Sequence, residues 1–289
     1  MLRTLGLAVI LPALAATQNF DGIRIEKVID GQVFAEGPVW SRDGYLLWSD
    51  VPNNRIHKWI PGHKSTVFRE QSGAAAGNTI DTKGNLYTCE SRARRVTRTD
   101  KKSVVEVLAE KWEGKRLNAP NDIVVRRDGH VYFTDPAYGN QSETRELDFY
   151  GIYHIPLKGP LELVAKPMGR PDGVAISPNG KILYVSNADD RAIYAYDLDG
   201  KGTASNERKL IAGIVGVPGG IRLDEKGNLY VTAEGLAIYS PGGKLEHTIE
   251  MPETPHNCAF GDLDFQTLFI TARTSVYRVR LDVKGSLQY

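Results

Sequence analysis

The stretch Glu36-Gly-Pro-Val-Trp-Ser-Arg-Asp-Gly44-Tyr-Leu-Leu-Trp48 contains a head residue, a small residue, an apolar alternation, a turn, and an apolar and aromatic strand. Asp43-Gly44 reads as a hairpin turn, because glycine takes the positive φ that such a turn demands. The flanking aromatic and branched residues suit strands. The pattern returns in Ala76-Gly-Asn-Thr-Ile-Asp-Thr-Lys-Gly84, Asn121-Asp-Ile-Val-Val-Arg-Arg-Asp-Gly129 and Asp172-Gly-Val-Ala-Ile-Ser-Pro-Asn-Gly180. It returns again in Gly219-Gly-Ile-Arg-Leu-Asp-Glu-Lys-Gly227 and, without the turn glycine, in Asn257-Cys-Ala-Phe-Gly-Asp-Leu-Asp-Phe265.

The five turn glycines are 40, 45, 51 and 47 residues apart. Each copy is followed by further short strand signals, such as Arg191-Ala-Ile-Tyr-Ala-Tyr196, and no stretch keeps a helical period. About four strands per repeat of roughly 40 to 50 residues is the signature of a β-propeller blade. Six copies predict an all-β, six-bladed β-propeller. A two-domain β-sandwich gives no reason for six equal heads. A propeller closes on itself, so no internal domain boundary is expected, and a strand near Ile23 to Phe34 is expected to complete the last blade.

Working outward, Met1-Leu2-Arg3 and the apolar run Leu5 to Ala16, with Ala13-x-Ala15 near its end, read as a signal peptide over 1–16. The propeller then occupies 17–289, and the mature protein is expected to be exported, periplasmic or secreted. No other segment approaches membrane-spanning length. The 36 basic and 35 acidic side chains nearly cancel, which argues against a nucleic-acid partner held by charge. Cys89 and Cys258 lie in apolar strand contexts and read as buried free thiols rather than a disulfide framework.

Equivalent positions of propeller repeats converge on the central axis. The heads therefore form one ring: Glu36, Ala76, Asn121, Asp172, Gly219 and Asn257. Its two carboxylates and two carboxamides are oxygen donors suited to a hard cation such as Ca²⁺. The second strand of each blade returns antiparallel and brings Asp50, Glu90, Asp135, Asn187 and Glu234 back toward the heads. Asp50, Glu90 and Asp135 either join the site or cap turns. Glu36 is favoured as a site residue, because a carboxylate before Gly-Pro-Val-Trp breaks an apolar strand entry.

The sequence resembles the SMP-30/gluconolactonase/LRE-like family. The resemblance runs through Glu36-Gly-Pro-Val-Trp40, Thr88-Cys-Glu90, Leu117-Asn-Ala-Pro-Asn-Asp122, Tyr132-Phe-Thr-Asp-Pro136, Arg170-Pro-Asp-Gly173, Asn257-Cys-Ala-Phe-Gly261 and Ile270-Thr-Ala-Arg-Thr274. It implies a six-bladed propeller with a divalent metal, usually calcium, at the channel mouth, and hydrolysis of sugar lactones or related esters. Glu36 and Asn121 match the family's ligand pattern. Asp172 stands where the family usually has Asn, and is a third metal ligand in this reading. Gly219 stands where the family has an Asp, often taken as both ligand and base, and Ser91 where a His commonly follows Cys-Glu.

With no side chain at 219, Asp172 or His256 is left to act as the base for water. A solvated turn is the plainer reading of His256. Asn118, Glu90 and Asn257 are candidates for binding the substrate, a small sugar-derived molecule. Two alternatives stay open: a descendant that binds or transforms another carbohydrate-like ligand, and a non-catalytic propeller that docks protein partners.

Overall fold

The computed structural model describes residue 20 and residues 22–287; the expected leader lies outside them. Among the described residues there are six four-stranded antiparallel sheets and one two-stranded ribbon, Lys111–Trp112 with Lys115–Arg116. The first strand of each blade follows its repeat: Ala35–Ser41, Ala75–Ile80, Ile123–Val125, Pro171–Ile176, Ile221–Leu223 and Pro255–Gly261. Each of these strands packs against the first strand of the next blade, and the sixth packs against the first, so the ring is closed. The chain is a six-bladed β-propeller. Among the described residues no helix is long and apolar enough to cross a membrane.

Closure uses the expected segment. Ile25–Ile29 pairs antiparallel with Ser275–Arg280, so the outermost strand of the sixth blade comes from the other end of the chain. Between blades the core is built from the branched and aromatic residues of the repeat, with Trp48, Tyr132, Tyr153 and Tyr230 under 2% exposed. Both cysteines are free and buried.

Two devices seat the heads. A hydroxyl near the end of the second strand donates across the blade boundary: Ser49 Oγ to Ala76 O (2.8 Å), Ser186 Oγ to Gly219 O (2.7 Å) and Thr232 Oγ1 to His256 O (2.8 Å). The second device is the absence of a side chain just after the head. At Gly37, which has a positive φ, a Cβ would lie 2.0 Å from Ala76 O. Neighbouring blades thus touch backbone to backbone around the axis, and the heads are held by main chain rather than by their own side chains.

Candidate active site

Glu36, Ala76, Asn121, Asp172 and Gly219 line one cavity of about 850 Å³. Five of the six heads therefore share one space, as the repeat predicts. The sixth, Asn257, is 2% exposed; it hydrogen-bonds Glu36 through its side chain while its Oδ1 accepts from Cys258 N (2.8 Å). Across the ring, Asn121 Nδ2 donates to Asp172 Oδ1 (2.8 Å) and Tyr138 Oη donates to Asp172 Oδ2 (2.6 Å). Asn121 uses its N–H on Asp172, so oxygen is the end it can offer a ligand.

Glu36 and Asp172 disfavour ionisation. Desolvation, then the charge of Asp172, push the Glu36 carboxyl up to about 8. Desolvation also drives Asp172 up to about 7; the hydrogen bond from Tyr138 works against it and the charge of Asp122 adds to it. Two desolvated carboxyls and the amide oxygen that Asn121 leaves free, all on one cavity, are the donor types a hard cation takes. Among the described residues no three His, Cys, Asp or Glu side chains group as metal ligands. Glu36, Asn121 and Asp172 would thus be a partial set, leaving positions for water or substrate.

The pH dependence of stability follows from these shifts. Both carboxyls are raised above their unfolded values, so the stability they contribute is present below about pH 4. It is lost as pH rises through about 7 and then about 8. One pKa unit corresponds to about 1.4 kcal/mol. Thermal melts of chelator-treated protein should show Tm falling from pH 5 to pH 8.5, with added Ca²⁺ restoring most at the alkaline end. A flat profile in chelator would show that the two carboxyls are not strained.

His256 also lines the cavity. Its ring packs against Phe34 at 4.4 Å between centroids, and Nε2 is buried without a hydrogen-bond partner among the described residues. Burial, helped by the charge of Arg273, pulls its pKa down to about 4. A neutral imidazole with an open nitrogen can accept a proton, so the solvated-turn reading of His256 does not hold.

Two expected substrate contacts are corrected. Glu90 is fully buried and does not reach the cavity. Its carboxylate accepts from Arg69 (2.5 Å), Arg95 (2.7 Å) and Thr97 Oγ1 (2.9 Å), which leaves nothing for a ligand. Asn118 is equally buried; its Nδ2 ties Asp135 O (3.1 Å) to Phe149 O (2.9 Å) and shapes the loop behind the cavity wall. Asp50 and Asp135 cap turns, accepting respectively from Phe34 N (3.1 Å) and Ala119 N (2.8 Å). Asn187 does the same for Asp190 N (3.0 Å), while Glu234 lines the cavity.

Tyr138 escaped the sequence reading because it follows the second strand of blade 3, outside the repeat. It precedes a short 3₁₀ segment, Gly139–Thr144, that buried Arg94 anchors by donating to Thr144 O (2.9 Å) and to the Thr144 hydroxyl. Gln141 of this segment also lines the cavity.

Comparison with known proteins places the chain in a family. The chain is 34% identical to a gluconolactonase of Zymomonas mobilis subsp. mobilis, in a match covering 90% of this chain and 82% of the relative. A pentonolactonase of Haloferax volcanii is 23% identical over 86% of this chain and 84% of its own. A solved gluconolactonase structure from Xanthomonas campestris superposes with a TM-score of 0.84 at 30% identity, covering 90% of each chain. The SMP-30/gluconolactonase/LRE-like region matches residues 34–274, from the start of blade 1 to the last hairpin of blade 6, and the chain belongs to that family.

Proposed function

We propose that the protein hydrolyses a small lactone, in the first place a sugar lactone, at the mouth of the propeller channel. The observation that carries this reading is the convergence of Glu36, Asn121, Asp172 and the His256 ring on one cavity. The similarity to proteins named gluconolactonase and pentonolactonase supports the same reading. Glu36, Asn121 and Asp172 would hold a divalent cation, by donor type Ca²⁺, which when bound supplies Lewis acidity at the lactone carbonyl.

His256 acts as the base. Its Nε2, buried and unpaired in this structure, turns toward the cavity and takes a proton from the water whose oxygen bonds to the carbonyl carbon. The ring carbon–oxygen bond breaks, the imidazolium returns that proton to the ring oxygen, and the product is a hydroxy acid. Asn257 orients Glu36, and Tyr138 holds one oxygen of Asp172. The apolar wall of Phe34, Val51, Pro52 and Pro218 excludes water from part of the cavity.

The test is hydrolysis of a panel of aldonolactones and other lactones, followed by pH indicator with Ca²⁺ and again with chelator. Chelator-sensitive turnover well above the spontaneous rate is expected. His256→Ala should lower kcat by roughly 10²- to 10³-fold. Folded protein that turns over no lactone in either condition would remove the hydrolase reading and bring the two binding alternatives forward.

A further inference from the structure

Beneath the heads, the channel wall carries charges that the lactone reading does not use. The residue after each head is Gly37, Gly77, Asp122, Gly173, Gly220 and Cys258. The glycines are there for want of room: a Cβ at Gly173 would lie 2.3 Å from Gly219 O. Asp122 is the departure, a carboxylate only 1% exposed. Its Oδ2 accepts from Val174 N of the next blade (3.0 Å), while Oδ1 is buried with no hydrogen-bond partner among the described residues.

Arg222 faces it. It lies three residues after Gly219 in the inner strand of blade 5, and its Nη1 is 3.6 Å from Asp122 Oδ2 of blade 3. These blades are not neighbours, so the guanidinium reaches Asp122 across the channel. The same Nη1 donates to Ile221 O (2.6 Å), which fixes the arginine against its own strand. The negative charge of Asp122 is felt at both Glu36 and Asp172, so the Asp122–Arg222 pair and the head ring share one electrostatic field.

We propose that Arg222 is a tethered countercharge of the head ring, setting the charge of the cation the ring accepts. With both head carboxyls ionised, as a bound cation would have them, Glu36, Asp122 and Asp172 against the Arg222 guanidinium carry a net charge of two negatives, the charge of one divalent ion; Arg170 beside Asp172 is already paired with Asp189, and Arg92 and Glu234 on the cavity wall are of opposite sign. The proposal rests on the cation-site reading above and concerns which ion that site prefers. A fixed positive charge on Asp122, the residue next to the head Asn121, acts on every cation in the ring, and more strongly on a trivalent one. Arg222 therefore selects against trivalent ions and against a second divalent ion, at the expense of affinity for the first.

Titration calorimetry of the whole protein with Ca²⁺ and with Tb³⁺ tests this without any turnover. Arg222→Gln should tighten Ca²⁺ binding roughly tenfold and Tb³⁺ binding by a larger factor, whereas Arg222→Lys should behave like the parent. Asp122→Asn should weaken Ca²⁺ by a similar factor, and the double variant, which restores the charge balance, should return near the parent value. That cycle holds the proposal to account if Arg222→Gln alone fails to fold. Unchanged or weaker Ca²⁺ binding by folded Arg222→Gln, or a double variant no closer to the parent than Asp122→Asn, would overturn it. Ca²⁺ binding by Arg222→Gln but not by the parent would support it in its strongest form. No cation bound by the parent or any variant would overturn the cation-site reading, and this proposal with it.

Discussion

Replacing Glu36 by Gln should cut lactone turnover by about 10³-fold or more in kcat/KM, the scale of losing several kcal/mol of charge stabilisation at the carbonyl. The substitution keeps the shape and the hydrogen bond to Gly37 N, which Glu36 Oε2 now accepts at 2.9 Å. It removes a carboxyl whose ionisation burial opposes. Turnover and stability should therefore move in opposite directions: in chelator at pH 8 the variant should melt above the parent, while hydrolysing almost nothing. Removing a purely architectural residue would lower both. Initial rates on the best lactone, set beside melts of the same preparation, decide the matter, and retained turnover would remove Glu36 from the active site.

The second large effect lies at Gly219. Introducing the Asp that the family resemblance places there should neither add a ligand nor raise activity; it should destabilise the propeller by about 2–4 kcal/mol. A Cβ at this position would sit 2.5 Å from His256 O and 3.1 Å from Thr232 Oγ1. The His256 carbonyl cannot move aside cheaply, because it already accepts from Gly220 N (2.8 Å) and Thr232 Oγ1 (2.8 Å). Blade 6 has in effect closed over the space a side chain would need. Urea denaturation should show Gly219→Ala losing nearly as much as Gly219→Asp, since the clash begins at the β-carbon. A parental midpoint for both would show that the gap between blades 5 and 6 can widen.

The heads were legible because a repeat forces equivalent positions onto one axis, and Glu36, Asn121 and Asp172 duly meet at one cavity. Strand pairing also places Glu90 opposite Ala75, close to its head as expected. What position along a strand does not reveal is direction and competition. Arg69 and Arg95, one from each of two other strands, converge on Glu90 and consume it. Tyr138 belongs to an insertion without counterparts in other blades, so no comparison of repeats could find it. Asp122 was visible as the one acidic residue in a column of glycines, but Arg222 became its partner only once blades 3 and 5 faced each other across the channel.

The strand Ile25–Ile29, laid against Ser275–Arg280, brings the two ends of the chain into one sheet. The seam this creates runs beside the site: Glu36 belongs to the first blade, Asn257 to the sixth, and their inner strands pack together there. Contacts between residues far apart in sequence cost more chain entropy to close than contacts between neighbours. The Glu36–Asn257 half of the ring is the portion that depends on such a contact. A chain ending before Ser275 has no partner for Ile25–Ile29 and leaves those two heads on separate free ends. The meeting of Glu36 with Asn257 is in this way tied to a strand pairing that spans nearly the whole propeller.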